Sequence, residues 1–409
     1  MMSKIRIKNF GPIKMGLIEN NGWINISKIT IFIGNQGSGK SAVAKLISTF
    51  TWMEKALSRG DMKISDFERY NRFRKKHCAY QNIHNYFKDN TYIEYVGKLY
   101  SFTYRSGNLK IKTLNNPKYY MPKVMYVPAE RNFVSAVSQP DKLKYLPQPL
   151  YTFLDEFERS KFEISEPIEL PINNLSFKFE KKKKEAKLVG GDYEVILSEA
   201  SSGLQSFIPL FIVTKNLAEG IGKEFDFTKN KLSLNEKQKL RKQLLEILLD
   251  KNLNEDLKKS AIDLLSSLTK NDYFFNIVEE PEQNLFPASQ RKIIFSLLKY
   301  NNLNKRNKLL MTTHSPYIIN YLSIAIEANF IKSKIKNNPN LLQKLDKIIT
   351  IDSTINAEDV SIYEFDEIEG SVKKLKSYEG IPSDRNLLNE SLSMSNEIFS
   401  QLLEIDQEI

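Results

Sequence analysis

The residues Gly34-Asn35-Gln36-Gly37-Ser38-Gly39-Lys40-Ser41 have the types and spacing to hold a polyphosphate. They fit G-x-x-x-x-G-K-[ST] at every position, follow the apolar run Ile29 to Ile33, and open a segment of helical period. Strand, loop and helix in that order let the glycines turn successive backbone N–H groups inward around a triphosphate. The following helix presents its positive dipole end to the same charge. In this frame Gly34, Asn35, Gln36, Gly37, Ser38 and Gly39 form the cradle, Lys40 neutralises the β- and γ-phosphates, and Ser41 holds Mg²⁺. ATP and Mg²⁺ are the expected cofactors.

Such a loop needs an acid on a neighbouring parallel strand, because Mg²⁺ must be held opposite the serine and the attacking water polarised. Phe274-Phe275-Asn276-Ile277-Val278 is apolar at every position but Asn276, and ends in the pair Glu279-Glu280. Glu279 is expected to face the metal and Glu280 the water. A further strand-like run, Lys308 to Thr313, ends in His314-Ser315-Pro316, placing a histidine where ligands of open α/β sheets bind. His314 is a candidate sensor of the γ-phosphate. Between the halves lies Ser198-Glu199-Ala200-Ser201-Ser202-Gly203-Leu204-Gln205, before the apolar stretch Phe207 to Leu217. Taken alone this reads first as a helix N-cap, and second as another anion-binding helix start.

The remaining elements must position these groups. Alternating runs at Lys4 to Lys8, Met15 to Glu19 and Trp23 to Ile26, then at Tyr92 to Val96, Tyr100 to Arg105 and Leu109 to Leu114, predict short strands and an antiparallel meander. Val43, Leu46, Ile47, Phe50, Met53 and Leu57 predict a helix packed on a sheet. Lys123 to Val127 predicts a second core strand, and Leu150 to Phe162 a helix. Leu175 to Phe179 and Tyr193 to Leu197 predict strands flanking a lysine hairpin tip at Lys181 to Lys184. Leucines from Leu232 to Leu268 predict two helices. Val360 to Phe365 and Ser371 to Leu375 predict a terminal hairpin before a last helix.

The order of P-loop, Ser-Ser-Gly-Leu-Gln, apolar-Glu-Glu-Pro-Glu and Thr-Thr-His-Ser-Pro resembles the ABC-type ATPases of the RecF and SMC branch, particularly short stand-alone ATPases of bacterial anti-phage defence, OLD-like and Septu-like. The resemblance runs from the first strand to about Tyr321. It implies an α/β P-loop NTPase of ABC/SMC-head type: a mostly parallel RecA-like sheet, an antiparallel N-terminal β lobe and a helical lobe. Residues 1–409 would form a single head, with 1–132 the β lobe and P-loop half, 133–270 the helical lobe, and 271–409 the acidic strand, histidine and C-terminal hairpin. Ser202, Gly203 and Gln205 would then belong to a signature completing a second subunit's site, Glu282 to Pro287 would be the loop beside it, and Glu280 and His314 would act in catalysis. The chain departs from that pattern at Leu204, where transporters have glycine; at Glu279, where aspartate is usual; and at Glu130-Arg131, where a glutamine is expected after Val127. It has no long coiled coil.

The resemblance implies a head-to-head homodimer or higher homo-oligomer with composite ATP sites, acting as the sensor or regulatory ATPase of a defence complex with a separate nuclease or toxin effector. A RecF-like repair ATPase is the alternative, and a transporter subunit comes third. The chain contains no Asp-x-Asp pair of the kind fused nucleases use. Net charge +11 makes nucleic acid a candidate partner, with Arg69 to Lys76 and the interleaved Tyr70, Phe73 and Tyr80 the candidate contact or else a solvated face. A single cysteine, a start without a signal-peptide core, and no run near roughly 18 apolar residues predict a cytoplasmic protein without a membrane partner.

Overall fold

The computed structural model describes residues 2–116, 118–137, 145–222 and 270–407. The leucine-periodic helices expected between Leu232 and Leu268 lie outside the described residues.

The strand Ile29–Gly34 is buried along its whole length, and Tyr273–Glu279 is buried from Phe274 onward. Burial without alternation requires cover on both faces, the situation of a parallel sheet. The sheet has the order Gly16–Leu17, Ser371–Lys374, Val360–Phe365, Ile29–Gly34, Lys308–Thr313, Tyr273–Glu279, Pro122–Val127. From Val360–Phe365 to Pro122–Val127 all neighbours run parallel. Side chains leave a strand on alternate faces, so each strand feeds two cores. Ile29, Ile31, Ile33, Val127, Val278 and Met311 face the helices Gln148–Glu163, Ser202–Gly220, Pro287–Asn302 and Pro316–Ile335. Phe32, Tyr126, Ile277, Leu310 and Phe365 face the helix Lys40–Ser58.

That helix carries the expected apolar stripe, and it is covered on a second side as well. A five-stranded antiparallel sheet, ordered Ile24–Asn25, Lys4–Phe10, Phe87–Val96, Tyr100–Arg105, Asn108–Thr113, closes over it. Phe50 lies at the contact, stacked on Tyr95 at 5.2 Å and on Phe73 at 5.1 Å between ring centroids. Glu54, one turn further, is buried there, and its Oε1 accepts the N–H groups of Lys98, Leu99 and Tyr100 at 2.6, 2.7 and 3.2 Å.

Three expectations are corrected. The lobe expected to be helical after residue 133 also carries a four-stranded antiparallel sheet, Glu194–Ile196, Glu185–Val189, Ser176–Glu180, Ile168–Glu169. The exposed turn at Lys181 to Lys184 joins Ser176–Glu180 to Glu185–Val189, not to the strand near Tyr193, because alternating charge in Glu185–Val189 hid a short strand. Val360–Phe365 is more than one arm of a terminal hairpin: it enters the main sheet beside the P-loop strand, Phe365 opposite Gly34. The last helix is Leu387–Gln407.

Candidate functional site

In the sheet register Ile33 stands opposite Thr313, and Thr312 opposite Glu279. The P-loop, the His314 segment and the acid pair therefore leave adjacent parallel strands at the same edge, which is where such sheets bind ligands.

At Gly34 φ is +141°, and a Cβ would lie 2.3 Å from the Phe365 carbonyl oxygen, so the entry into the loop requires glycine. Gly37, at φ +76°, has open space where its Cβ would stand. Gly34 and Gly37 thus give the loop its positive φ angles. Lys40 is buried; its Nζ donates to the Gly34 and Asn35 carbonyls, both at 2.7 Å, and to Ser38 Oγ at 3.4 Å. Burial pulls its pKa down to about 8, against the opposing pull of Glu280, Glu282, Glu367 and Glu279. Asn35 Nδ2 donates to Glu367 Oε1 at 3.0 Å, Gln36 is exposed, and Ser41 sits half-buried in the first helical turn. Gly39, at φ +104°, is the left-handed residue before that turn.

Glu279 is buried, with Oε1 accepting from the Tyr126 hydroxyl and Oε2 from the Ala129 N–H at 3.3 Å; Lys45 Nζ lies 3.9 Å from Oε1. Each oxygen retains a further lone pair for a cation. Glu280 has φ +43°, and its N–H donates to the Thr312 carbonyl at 2.9 Å. Its Oε1 lies 3.3 Å from His314 Nε2. That hydrogen bond holds the Glu280 carboxyl below the usual carboxylate range against its partial burial, with Lys40 and Arg131 adding to the effect. Glu282 accepts the Thr313 hydroxyl at 2.7 Å and the His314 N–H at 2.8 Å, and burial raises its pKa. Thr312 Oγ1 and Glu282 Oε2 are buried without a hydrogen-bond partner among the described residues. The carboxylate oxygens of Glu279 and the hydroxyl of Ser41 are the hard oxygen type that fits Mg²⁺.

Ser202 begins the helix Ser202–Gly220 and is exposed. A Cβ on Gly203 would lie 2.7 Å from the Asn284 carbonyl oxygen, so glycine lets this helix approach the loop after the acidic strand. Gln205, expected to contact nucleotide, is turned inward: its side chain is buried and Nε2 donates to the Ser198 carbonyl at 2.9 Å. The basic stretch is also largely committed to structure. Phe73 is in the core, Arg72 pairs with Asp66 at 3.5 Å, and Arg74 Nε donates to the His84 carbonyl at 2.8 Å, leaving Arg69, Tyr70, Lys75 and Lys76 exposed. Phe73 is therefore not open to a base, while the Tyr70 ring is exposed.

Sequence reasoning missed Tyr126 and Arg131. Arg131 is fully buried, and its guanidinium donates to the carbonyls of Glu279 at 2.7 Å and Glu280 at 2.6 Å. Its position, where a glutamine was expected, was the available signal; that a charge there would turn inward to main-chain oxygens was not readable.

Comparison with protein-family models and with curated proteins gives no match. Among solved structures the chain is similar to the SMC head domain from Thermotoga maritima, at 12% identity over 92% of this chain and 100% of that one, with a TM-score of 0.36. It is similar at 9% identity to an Smc head domain with an extended coiled coil, bound to the C-terminal domain of ScpA and derived from Pyrococcus furiosus, over 97% of this chain and 100% of that one, TM-score 0.36. A nucleotide-free ATP-binding cassette from an ABC transporter matches at 11% identity over 93% and 94% of the two chains, TM-score 0.29.

Proposed function

We propose that this chain is an Mg²⁺-dependent ATPase whose copies close head to head on ATP, and that it is the regulatory ATPase of an anti-phage defence complex whose effector is a separate protein. The observation that carries the ATPase reading is the row formed at one sheet edge by Lys40, Glu279, Glu280 and His314. The defence role rests on the order of the sequence motifs.

Lys40 leaves its loop carbonyls to bind the β- and γ-phosphates, and the N–H groups of the cradle take the remaining oxygens. Ser41 and Glu279 would hold Mg²⁺, which neutralises charge on the phosphates. Glu280 accepts a proton from the attacking water, being ionised at neutral pH, and His314 orients its carboxylate. The exposed Ser202 at a helix start supports a role on the opposite copy's nucleotide, since its hydroxyl and the first N–H groups of the helix are open to a second molecule.

The test compares Lys40→Ala, Ser202→Arg and Glu280→Gln by fluorescent-nucleotide titration, phosphate release and light scattering. Lys40→Ala should lose binding, Ser202→Arg should bind without closing, and Glu280→Gln should trap an ATP-dependent dimer. Normal turnover in Ser202→Arg would remove the composite site. For the defence role, a strain carrying the wild-type gene with its neighbours should resist phage and one carrying Lys40→Ala should not.

A further inference from the structure

The Arg131 guanidinium reaches three separate segments through main-chain oxygens. It donates to Glu279 O at 2.7 Å and Glu280 O at 2.6 Å, to Pro128 O at 3.4 Å, and through Nε to Ser206 O at 3.3 Å. Burial pulls its pKa down to about 10, with the nearby Glu282, Glu280, Glu279 and Glu130 opposing the shift. A buried cation is a poor source of stability, since an apolar side chain of similar volume often serves as well. What an apolar residue cannot do is bridge several carbonyls with one rigid planar fork.

The bridged segments are informative. Glu280 occupies the left-handed region at φ +43°, which disfavours a residue with a Cβ. Its peptide units are held on both sides, the N–H by Thr312 O at 2.9 Å and the C=O by Arg131. Ser206 lies in the second turn of the helix that Ser202 opens. We propose that Arg131 is a positioning residue that ties the signature helix to the backbone of Glu280, so that a second copy docking on Ser202 sets the aim of the base. This rests on the ATPase reading above. The link predicts that nucleotide binding by one copy is indifferent to Arg131, because the P-loop is built without it, whereas turnover is not.

The experiment uses the full chain with MgATP and the variants Arg131→Lys, Arg131→Gln, Glu280→Gln and Arg131→Lys combined with Glu280→Gln. Arg131→Lys should bind a fluorescent ATP analogue within about threefold of wild type while turnover at saturating ATP falls by about 100-fold, the usual scale for a misplaced catalytic group. With Glu280 already replaced, Arg131→Lys should produce no further loss, the non-additivity of two residues acting as one unit. Wild-type turnover in Arg131→Lys, or its full loss added on top of Glu280→Gln, overturns the inference. A wild-type protein with no Lys40-dependent turnover overturns the ATPase reading instead. Should the Arg131 variants not fold, hydrogen exchange on wild type and Ser202→Arg decides: ATP should change protection of residues 203–210 and 279–282 together in wild type and of neither in Ser202→Arg. A change at 279–282 that survives in Ser202→Arg overturns the link.

Discussion

Glu54 and Glu280 are both shielded carboxylates in the same half of the molecule, and they are built for opposite ends. Glu54 is buried in the helix between the two sheets, its Oε1 enclosed by three consecutive backbone N–H groups, and burial raises its pKa. Gly97 makes room for it, since a Cβ there would stand 2.3 Å from that oxygen. Glu280 stands at the sheet edge on a left-handed backbone, half-buried, with the His314 imidazole beside it and its pKa lowered. A carboxylate buried against three rigid main-chain donors is a clamp, kept from solvent and from any substrate. One held by its own strained backbone, with a histidine partner, can exchange a proton.

The sharpest way to break this contrast is to remove each acid. Glu280→Gln should lower turnover by at least about 100-fold, the range for loss of a general base, with the melting temperature shifted by less than about 2 °C. Glu54→Ala should do the reverse: three buried N–H groups lose their acceptor, at a cost of roughly 3 kcal/mol, while turnover per folded molecule is unchanged. Urea titration and phosphate release on both variants measure this; a turnover defect in Glu54→Ala at temperatures where it is folded would erase the distinction.

A smaller effect comes from His77, buried between Trp52 and Phe67 with its pKa pulled down to about 4 by burial. The folded state resists the proton that the unfolded chain takes up near pH 6.5. Stability is therefore complete above that value and lost as pH falls toward 4, by at most roughly 3 kcal/mol. His77→Phe should flatten this part of the pH–stability curve, and an unchanged slope would assign it to other groups. Smaller still is the pH response of the cradle. With the Lys40 pKa at about 8 before phosphate arrives, binding must be accompanied by proton uptake above that pH. ATP affinity should then fall by up to about tenfold per pH unit from 8 upward and be level below 7, measured by nucleotide titration. A flat profile to pH 9.5 would mean that Lys40 is already solvated and charged.

Much of the site was legible because its chemistry depends on short-range order. The P-loop needs a strand, glycines, a lysine and a helix within a few residues, and Glu279-Glu280 and Thr313-His314 each follow a run whose apolarity announces a buried strand. The antiparallel meander was readable from its alternation and turn residues. Glu185–Val189 was not, since its Glu-Ala-Lys start carries the charge of a loop; pairing with Ser176–Glu180 made it a strand. The inward turn of Phe73 and Gln205 and the bridging by Arg131 were not legible for a related reason. A residue type states what a side chain can do, and the direction in which it turns depends on elements far away in sequence.

The sequence alone determined the nature and order of the phosphate loop, the acidic strand and the histidine, together with the strands and helices that carry them, because those rest on local propensity and apolar periodicity. Only the tertiary structure decided that Val360–Phe365 lies beside the P-loop strand, that Glu54 clamps residues 98–100, and that Arg131 spans from Ser206 to Glu279 and Glu280. These contacts join residues tens to hundreds of positions apart, and their partners are main-chain atoms. Every residue carries the same N–H and C=O groups, so no pattern of residue types can announce which of them a buried charge will meet.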